Sequence, residues 1–498
     1  MLRQQAALDG QAARIELLRA QLAKLRRTQF GRSSEKLDAA ITQLELALED
    51  LEEEQGAQDA ATPAAEPSDE PRHARPARRP LPDHLPRHVV EHVTACECPA
   101  CGGTLRRLGE DVTEVLDYVP ASFRVVRHVR PKFSCRQCET ITQAPAPSLP
   151  IRRGRAGPGL LAHVLVAKFC DHLPLYRQSE IYAREGVELE RSTLADWVGQ
   201  SAALLRPLVD ALEHHVMAGA RLHADDTPVP VLAPGTGKTS TGRLWAYLRD
   251  ERPYAGTAAP AVRYRYTADR RGEHPRAHLA GFTGVLQADG YAGFNGLYNT
   301  DRVAEAACWA HVRRKFHDIH AAGNSPIAQE ALTRIAALYA IETAITGKPP
   351  DLRRHARQTE AAPLLDDLRS WLEMTLTKVP GRGDVAVAIR YALSRWAALT
   401  RYVDDGTIAI DNNPVERAIR PVALGRKNWL FAGSNAGGER AAAIYSLIQT
   451  AKLNGLDPEA YLRHVISCIA DHSVNRVAEL LPWNIDASAD TAAATVKQ

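Results

Sequence analysis

The sequence predicts a multidomain chain of α/β plus α class, and three observations carry that expectation. A heptad stripe occupies the first fifty or so residues, two Cys-x-x-Cys knuckles follow a proline-rich stretch, and from residue 219 strand-like segments alternate with helical ones. At 498 residues the chain exceeds what one core holds, so roughly two to four domains are expected. Apolar residues at 45% and charged residues at 24% make an ordinary soluble globular mixture. Net charge is only +3, so any contact with nucleic acid must be local. No apolar run reaches the length of a membrane span, and the N-terminus lacks the apolar stretch of a secretory signal. A cytoplasmic protein with no membrane partner is therefore expected. Eight cysteines in so long a chain are no disulfide framework, and four of them pair at zinc-ligand spacing.

Residues 1–51 read as a coiled coil. Leu8, Ile15 and Leu22 share one heptad position, Leu18 and Leu25 the other, and Gln11 is the polar exception. After an interruption at Phe30-Gly31-Arg32-Ser33-Ser34, the stripe resumes with Leu37, Ile41, Leu44, Leu48 and Leu51. Such a stripe is buried only against another helix, so two short coiled-coil segments or a helical hairpin are expected. With no globular sequence nearby to cover it, a homo-oligomer is favoured over a lone amphipathic helix packed on its own chain. Residues 52–88 carry prolines at 63, 67, 71, 76, 80, 82 and 86 and read as a linker.

Residues 89–150 hold Cys98, Cys101, Cys135 and Cys138, with strand-like runs at 112–119 and 123–129 between the pairs. Two knuckles complete a closed tetrahedral set of thiolates, which predicts a zinc ribbon-like domain with a structural Zn2+. Cys96 is an alternative to Cys98 but lacks the partner spacing. Residues 151–215 read as helices over 160–169 and 177–184, a turn at Gly186, and a helix over 193–205 capped by Ser192. That order outlines a helix-turn-helix, with Arg191 and Ser192 at the leading end of the second helix, where such modules meet DNA. A helical hairpin without DNA contact fits the same pattern.

Residues 216–440 change texture. HADDTPVPVL (223–232), RLWAYL (243–248) and VRYRYT (262–267) are strand-like, a helical piece follows at 276–279, and GVLQAD (284–289) is a strand ending in an acid. Residues 303–309 look like a further strand and 310–320 like a helix. Three strands, a helix and a strand ending in Asp is the order of a ribonuclease H-like core, here with a helical insertion at about 322–405. Asp225 and Asp289 then lie on adjacent central strands, where carboxylates hold divalent ions for phosphodiester chemistry. A lone Asp at a strand end also serves as a turn residue. The segment Asp411-Asn412-Asn413-Pro414-Val415-Glu416 offers a third acid, although Asn413 and Glu416 also fit a helix capping box. Gly235-Thr236-Gly237-Lys238-Thr239 imitates the end of a phosphate-binding loop, but Leu232 stands where its first glycine belongs. Residues 441–498 read as a helical C-terminal segment.

Taken in order, FGRSSEKL (30–37), the cysteine knuckles, PLYRQSEIYAREGVELERSTLADWVG (174–199), HADDTPVPVL, LQADGYAGF (286–294), CWAHVRRKF (308–316) and DNNPVERAIRPVALGRKNWLFAGSNAGGERAA (411–442) resemble transposases of the insertion-sequence-sixty-six family. The resemblance implies a leucine-zipper-like N-terminus, a zinc-binding domain, a helix-turn-helix and a ribonuclease H-like core of DDE type. It implies that Asp225, Asp289 and Glu416 form an acidic triad for Mg2+ or Mn2+. It further implies that double-stranded DNA, as element terminal repeats and target, is cut and joined. Asp226 stands where the family carries Glu. Small accessory proteins of the same element are implied by the resemblance alone. Cys308 and His311 match a Cys-x-x-His signature found after the second Asp in several transposase families, so a supporting role at the site is expected, with core packing as the alternative. Basic residues near the acidic motifs are expected to meet DNA phosphates: Arg313, Arg314 and Lys315, Arg417 and Arg420, and Arg426 and Lys427. A fourth cluster, Arg152, Arg153 and Arg155, lies farther off. Two rival readings share these features, a catalytically silent DNA-binding descendant and a nuclease that cleaves without joining.

Overall fold

A computed structural model of the chain describes Phe123, Val125 and residues 132–134, 141–143, 148–151 and 156–485, apart from 234–237 and 430–431. The coiled-coil stripe, the linker, the four zinc-knuckle cysteines and Arg152, Arg153 and Arg155 lie outside the described residues. So do the strand-like runs at 112–119 and 123–129, Phe123 and Val125 excepted. Strands β1 (Lys132–Ser134) and β2 (Ile141–Gln143) pair antiparallel, and the segment joining them carries Cys135 and Cys138.

Four helices follow: α1 (Pro158–Phe169), α2 (Leu175–Arg184), α3 (Arg191–Leu204) and α4 (Arg206–Met217). The turn between α2 and α3 uses Gly186 at φ +85°, a left-handed conformation that glycine adopts without steric cost. Ser192 was expected to cap α3, but the cap position is Glu190 and Ser192 lies inside the first turn. The Ser192 hydroxyl instead donates to the Glu190 carboxylate at 3.4 Å.

The central sheet has five strands in the order β5-β4-β3-β6-β7, with β3 (Arg221–Ala233), β4 (Lys238–Arg249) and β5 (Ala261–Thr267) antiparallel. Strands β6 (Gly284–Gln287) and β7 (Val303–Ala306) run parallel to β3. The direct hairpin from β3 to β4 leaves the glycine-lysine loop without the strand-to-helix step a phosphate loop needs. Helix α5 (Glu273–His278) starts three residues before the expected piece, and β7 stops at Ala306 rather than running on to Trp309. The Trp309 amide leaves the sheet to donate to Ile410 O at 3.1 Å, and helix α7 (Trp309–Gly323) begins there, after the one-turn α6 (Asn295–Tyr298).

The β3–β6 ladder ends at His223↔Gln287. Beyond it β3 keeps β4 on one side and meets only the isolated bridge Val231↔Ala432 on the other, which is why Pro228 and Pro230 are tolerated in a strand that starts as the sheet centre. Gly284 opens β6 at φ +131°, and a Cβ there would lie 2.1 Å from Ala220 O. No other residue fits that approach.

Helices α8 (Pro326–Ile345), α10 (Ala362–Leu376), α11 (Asp384–Ser394) and α12 (Trp396–Thr400) build a second core on α7 around Trp309, Phe316, Ile335, Leu368 and Ile389, and α9 (Pro350–Ala356) packs on α8. Inside it Arg357 is fully buried and grips Glu342 with two bonds of 2.7 Å, while also donating to Tyr402 O and Ile408 O. The chain returning from the helices toward residue 411 is thereby fixed. Helices α13 (Asn413–Trp429) and α14 (Asn435–Leu453) then pack back on the sheet, and α15 (Pro458–Cys468) packs on α1. On β5 the Val262 and Tyr264 amides donate to Thr450 and Ser446 of α14.

Candidate active site

Successive residues of a strand face opposite sides of a sheet, and β3 uses that alternation at its paired acids. Asp226 is opposite Trp245 in register and faces Arg243 and Arg270, at 3.0 and 2.8 Å. Its side chain is 2% exposed, and burial, outweighing both arginines, pushes its carboxyl above the usual range. Asp225 faces the other side, and one of its oxygens accepts the Asp226 amide at 2.8 Å.

The β3–β6 register pairs residues 64 apart, as in Arg221↔Val285 and His223↔Gln287. Extended by two residues, it sets Asp289 level with Asp225 and on the same face, Asp289 just past the carboxyl end of β6 and Asp225 where β3 runs on beyond the parallel ladder. Such ends form a crevice in α/β sheets. Asp289 sits in a turn that accepts the Tyr291 amide at 3.0 Å and is followed by Gly290 at φ +83°. Glu416 arrives from the first turn of α13. Burial first, then the charges of Asp289 and Glu416, push the Asp225 carboxyl well above its ordinary value. A buried carboxylate flanked by the charges of two others makes a pocket suited to a cation.

Asn412 ties these elements together. It is fully buried. Its amide donates to Cys308 Sγ at 3.2 Å, its Nδ2 donates to Ala224 O at 2.9 Å, and its Oδ1 accepts from His223 Nδ1 at 3.0 Å. Through its backbone N–H to Cys308 and its side chain to β3, one residue therefore joins β3, the start of α7 and the start of α13. The helical region contributes a second support, because Tyr391 donates to Asp289 O and Arg395 donates to Gly290 O, at 3.2 and 2.9 Å. Neither Asn412, Tyr391 nor Arg395 stood out in the sequence as a site residue, although Asn412 lies inside the DNNPVER stretch.

The capping-box alternative for Glu416 loses its donor. The Asn413 amide donates to Asp411 Oδ1 at 3.1 Å. Glu416 instead faces α7, with Arg314 Nη2 3.4 Å from Oε2 and His311 Nδ1 3.8 Å from Oε1. Among the described residues, Cys308, His311 and Glu416 place one ligand atom each within 4.8 Å of one another. Burial pushes the Cys308 thiol well up and the His311 imidazole down, which favours the neutral form of each.

The expected DNA contacts divide. Arg191, Ser192, Arg417 and Arg420 are exposed. Arg313 is half-buried, Arg314 lies against Glu416, and Lys315 sits over the Tyr391 ring at 4.5 Å. Arg426 and Lys427 fall on α13, with side chains outside the described residues. A cavity of about 290 Å³ lies between α1, α3, the sheet and α14, lined by Phe169, Val198, Val229, Tyr266 and Tyr445. It is apolar and contains none of the acids.

A family model described as Transposase IS66 family matches residues 153–440, which span the sheet, its acids and the inserted helices. The chain belongs to the IS66 transposase family. Three further models of that family match in order. They are its zinc-finger binding domain at 95–139, the Transposase C of IS166 homeodomain at 17–90, and the IS66 C-terminal element at 446–483. The chain is also similar to two proteins of Sinorhizobium fredii that bear the names Uncharacterized protein y4hP and y4qI. The first is 44% identical over 94% of this chain and 88% of its own length, the second 43% over 78% and 74%. The IS66-family chain is thus a transposase with DNA-binding and zinc-finger regions, and none of its described helices is long and apolar enough to cross a membrane.

Proposed function

We propose that this transposase cuts DNA at the ends of its mobile element and joins the freed 3′ ends to target DNA, with Asp225, Asp289 and Glu416 as the catalytic acids. The observation that carries the reading is their convergence from three elements 64 and 127 residues apart in sequence, at the open end of the β3–β6 pair. The strand order and the position of the acids support a ribonuclease H-like core. The donor set is all carboxylate oxygen, which suits Mg2+ or Mn2+. Divalent ions bound there supply activation of the attacking oxygen and stabilisation of the leaving oxygen of an in-line displacement. The chain's own part is to hold the three acids in register: Asn412 fixes α13 against β3, and Tyr391 and Arg395 fix the Asp289 turn. Exposed Arg417 and Arg420, one helical turn apart on α13 beside Glu416, are placed to meet phosphates. Arg191 and Ser192 would contact the terminal repeats from the start of α3, and four cysteines, Cys98, Cys101, Cys135 and Cys138, would hold one structural Zn2+. Two element ends need at least two active sites, so a homo-oligomer is part of the reading.

Cleavage of a duplex carrying an element end tests it. Asp225→Asn, Asp289→Asn and Glu416→Gln should each lower cleavage by several orders of magnitude and leave end binding nearly intact, because phosphate and base contacts lie elsewhere. Cleavage retained in Glu416→Gln moves the third ligand. The silent-descendant reading predicts no cleavage by the wild-type chain.

A further inference from the structure

Behind the three acids lies a group that the acidic triad does not use. His311 stands one turn into α7, and its Nδ1 is buried without a hydrogen-bond partner. A buried imidazole nitrogen in that state costs stability unless something meets it. Glu416 Oε1 lies 3.8 Å from that nitrogen. That separation is too long for a hydrogen bond. It suits two donors on one ion, since ligand atoms about 2.1 Å from a shared cation lie roughly 3 to 4 Å apart. Arg314 Nη2 lies 3.4 Å from the other oxygen, Oε2, of the same carboxylate.

Cys308 Sγ completes the corner within 4.8 Å. Its residue is 3% exposed and its sulfur already accepts the Asn412 amide, and a thiol is a poor donor for a hard cation. Cys308 therefore backs the cluster rather than joining it, and one nitrogen and one carboxylate oxygen remain.

We propose that His311 ligates the divalent ion held by Glu416, making that position a mixed nitrogen–oxygen site beside the all-oxygen pair Asp225 and Asp289. The inference rests on the proposed metal-binding role of the three acids. A site with one imidazole binds Mn2+ more tightly than Mg2+, which retains oxygen ligands and water.

Electron spin echo spectroscopy of the full chain loaded with Mn2+ tests it, because the cysteine knuckles do not favour that ion. The expected result is nitrogen modulation from a directly bound imidazole, with its frequencies changed when histidine carries the heavy nitrogen isotope. The labelling needs no substitution and so is independent of folding defects. Both His311→Gln and Glu416→Gln should then remove the modulation, with bound zinc and melting temperature checking that each variant is folded. Bound Mn2+ without nitrogen modulation, or modulation that survives His311→Gln, overturns this inference and leaves the three acids standing. Failure of the wild-type chain to bind Mn2+ at all overturns both.

Discussion

Replacing Asp226 with Asn removes the shared partner of Arg243 and Arg270 at a side chain 2% exposed. Breaking a buried ion pair from one side is costly, so a loss of about 3 kcal/mol is expected in denaturant unfolding. Asp225→Asn should do the reverse. It removes a carboxylate that burial and two like charges disfavour, so unfolding midpoints should hold or rise while cleavage is lost. A stable, inactive Asp226→Asn beside an active Asp225→Asn would move the ligand by one residue. The sequence could not choose between the neighbours, because Asp226 is an acid where the family carries one. The choice came from strand alternation together with two arginines, Arg243 and Arg270, that lie 17 and 44 residues away.

Among the elements, α7 and α13 matter most, and the clamp between them is the buried Asn412. Asn412→Ala leaves Ala224 O without its donor and His223 without its acceptor. A cost of roughly 1–3 kcal/mol follows from the unsatisfied groups. Cleavage should fall further than that stability loss explains, since Glu416 loses its tie to β3. If cleavage stays at the wild-type level in a folded Asn412→Ala, the clamp does not position Glu416. The element order was legible from periodicity and turn residues, and the motif is what nominated the candidate acids. The supports were not, because Asn412, Tyr391 and Arg395 act on backbone carbonyls of Ala224, Asp289 and Gly290 more than a hundred residues away. Boundaries also escaped where tertiary contacts set them. The apolar run 303–309 has a strand's composition, yet the Trp309 amide finds Ile410 O and its indole finds Leu399 O, and a helix starts there.

For the whole molecule, the zinc-finger region should carry about one Zn2+ per chain, as four thiolates fill one tetrahedral site. Cys135→Ser should release the metal and leave the central sheet folded, and full zinc retention in a Cys98/Cys135 double variant would refute the four-cysteine site. A fragment of residues 1–55 should be helical and melt at a temperature that rises with concentration, as association-driven helices do. Concentration-independent melting would make the stripe an intramolecular hairpin. Joining separates a transposase from a nuclease with the same acids. The most direct test supplies pre-cut element ends with free 3′-hydroxyls, target DNA and Mg2+, and measures covalently joined product. The account predicts joining by the wild-type chain and none by Asp225→Asn, Asp289→Asn or Glu416→Gln. A wild-type chain that cleaves element ends but never joins them, or joining that persists in any of the three variants, would contradict it.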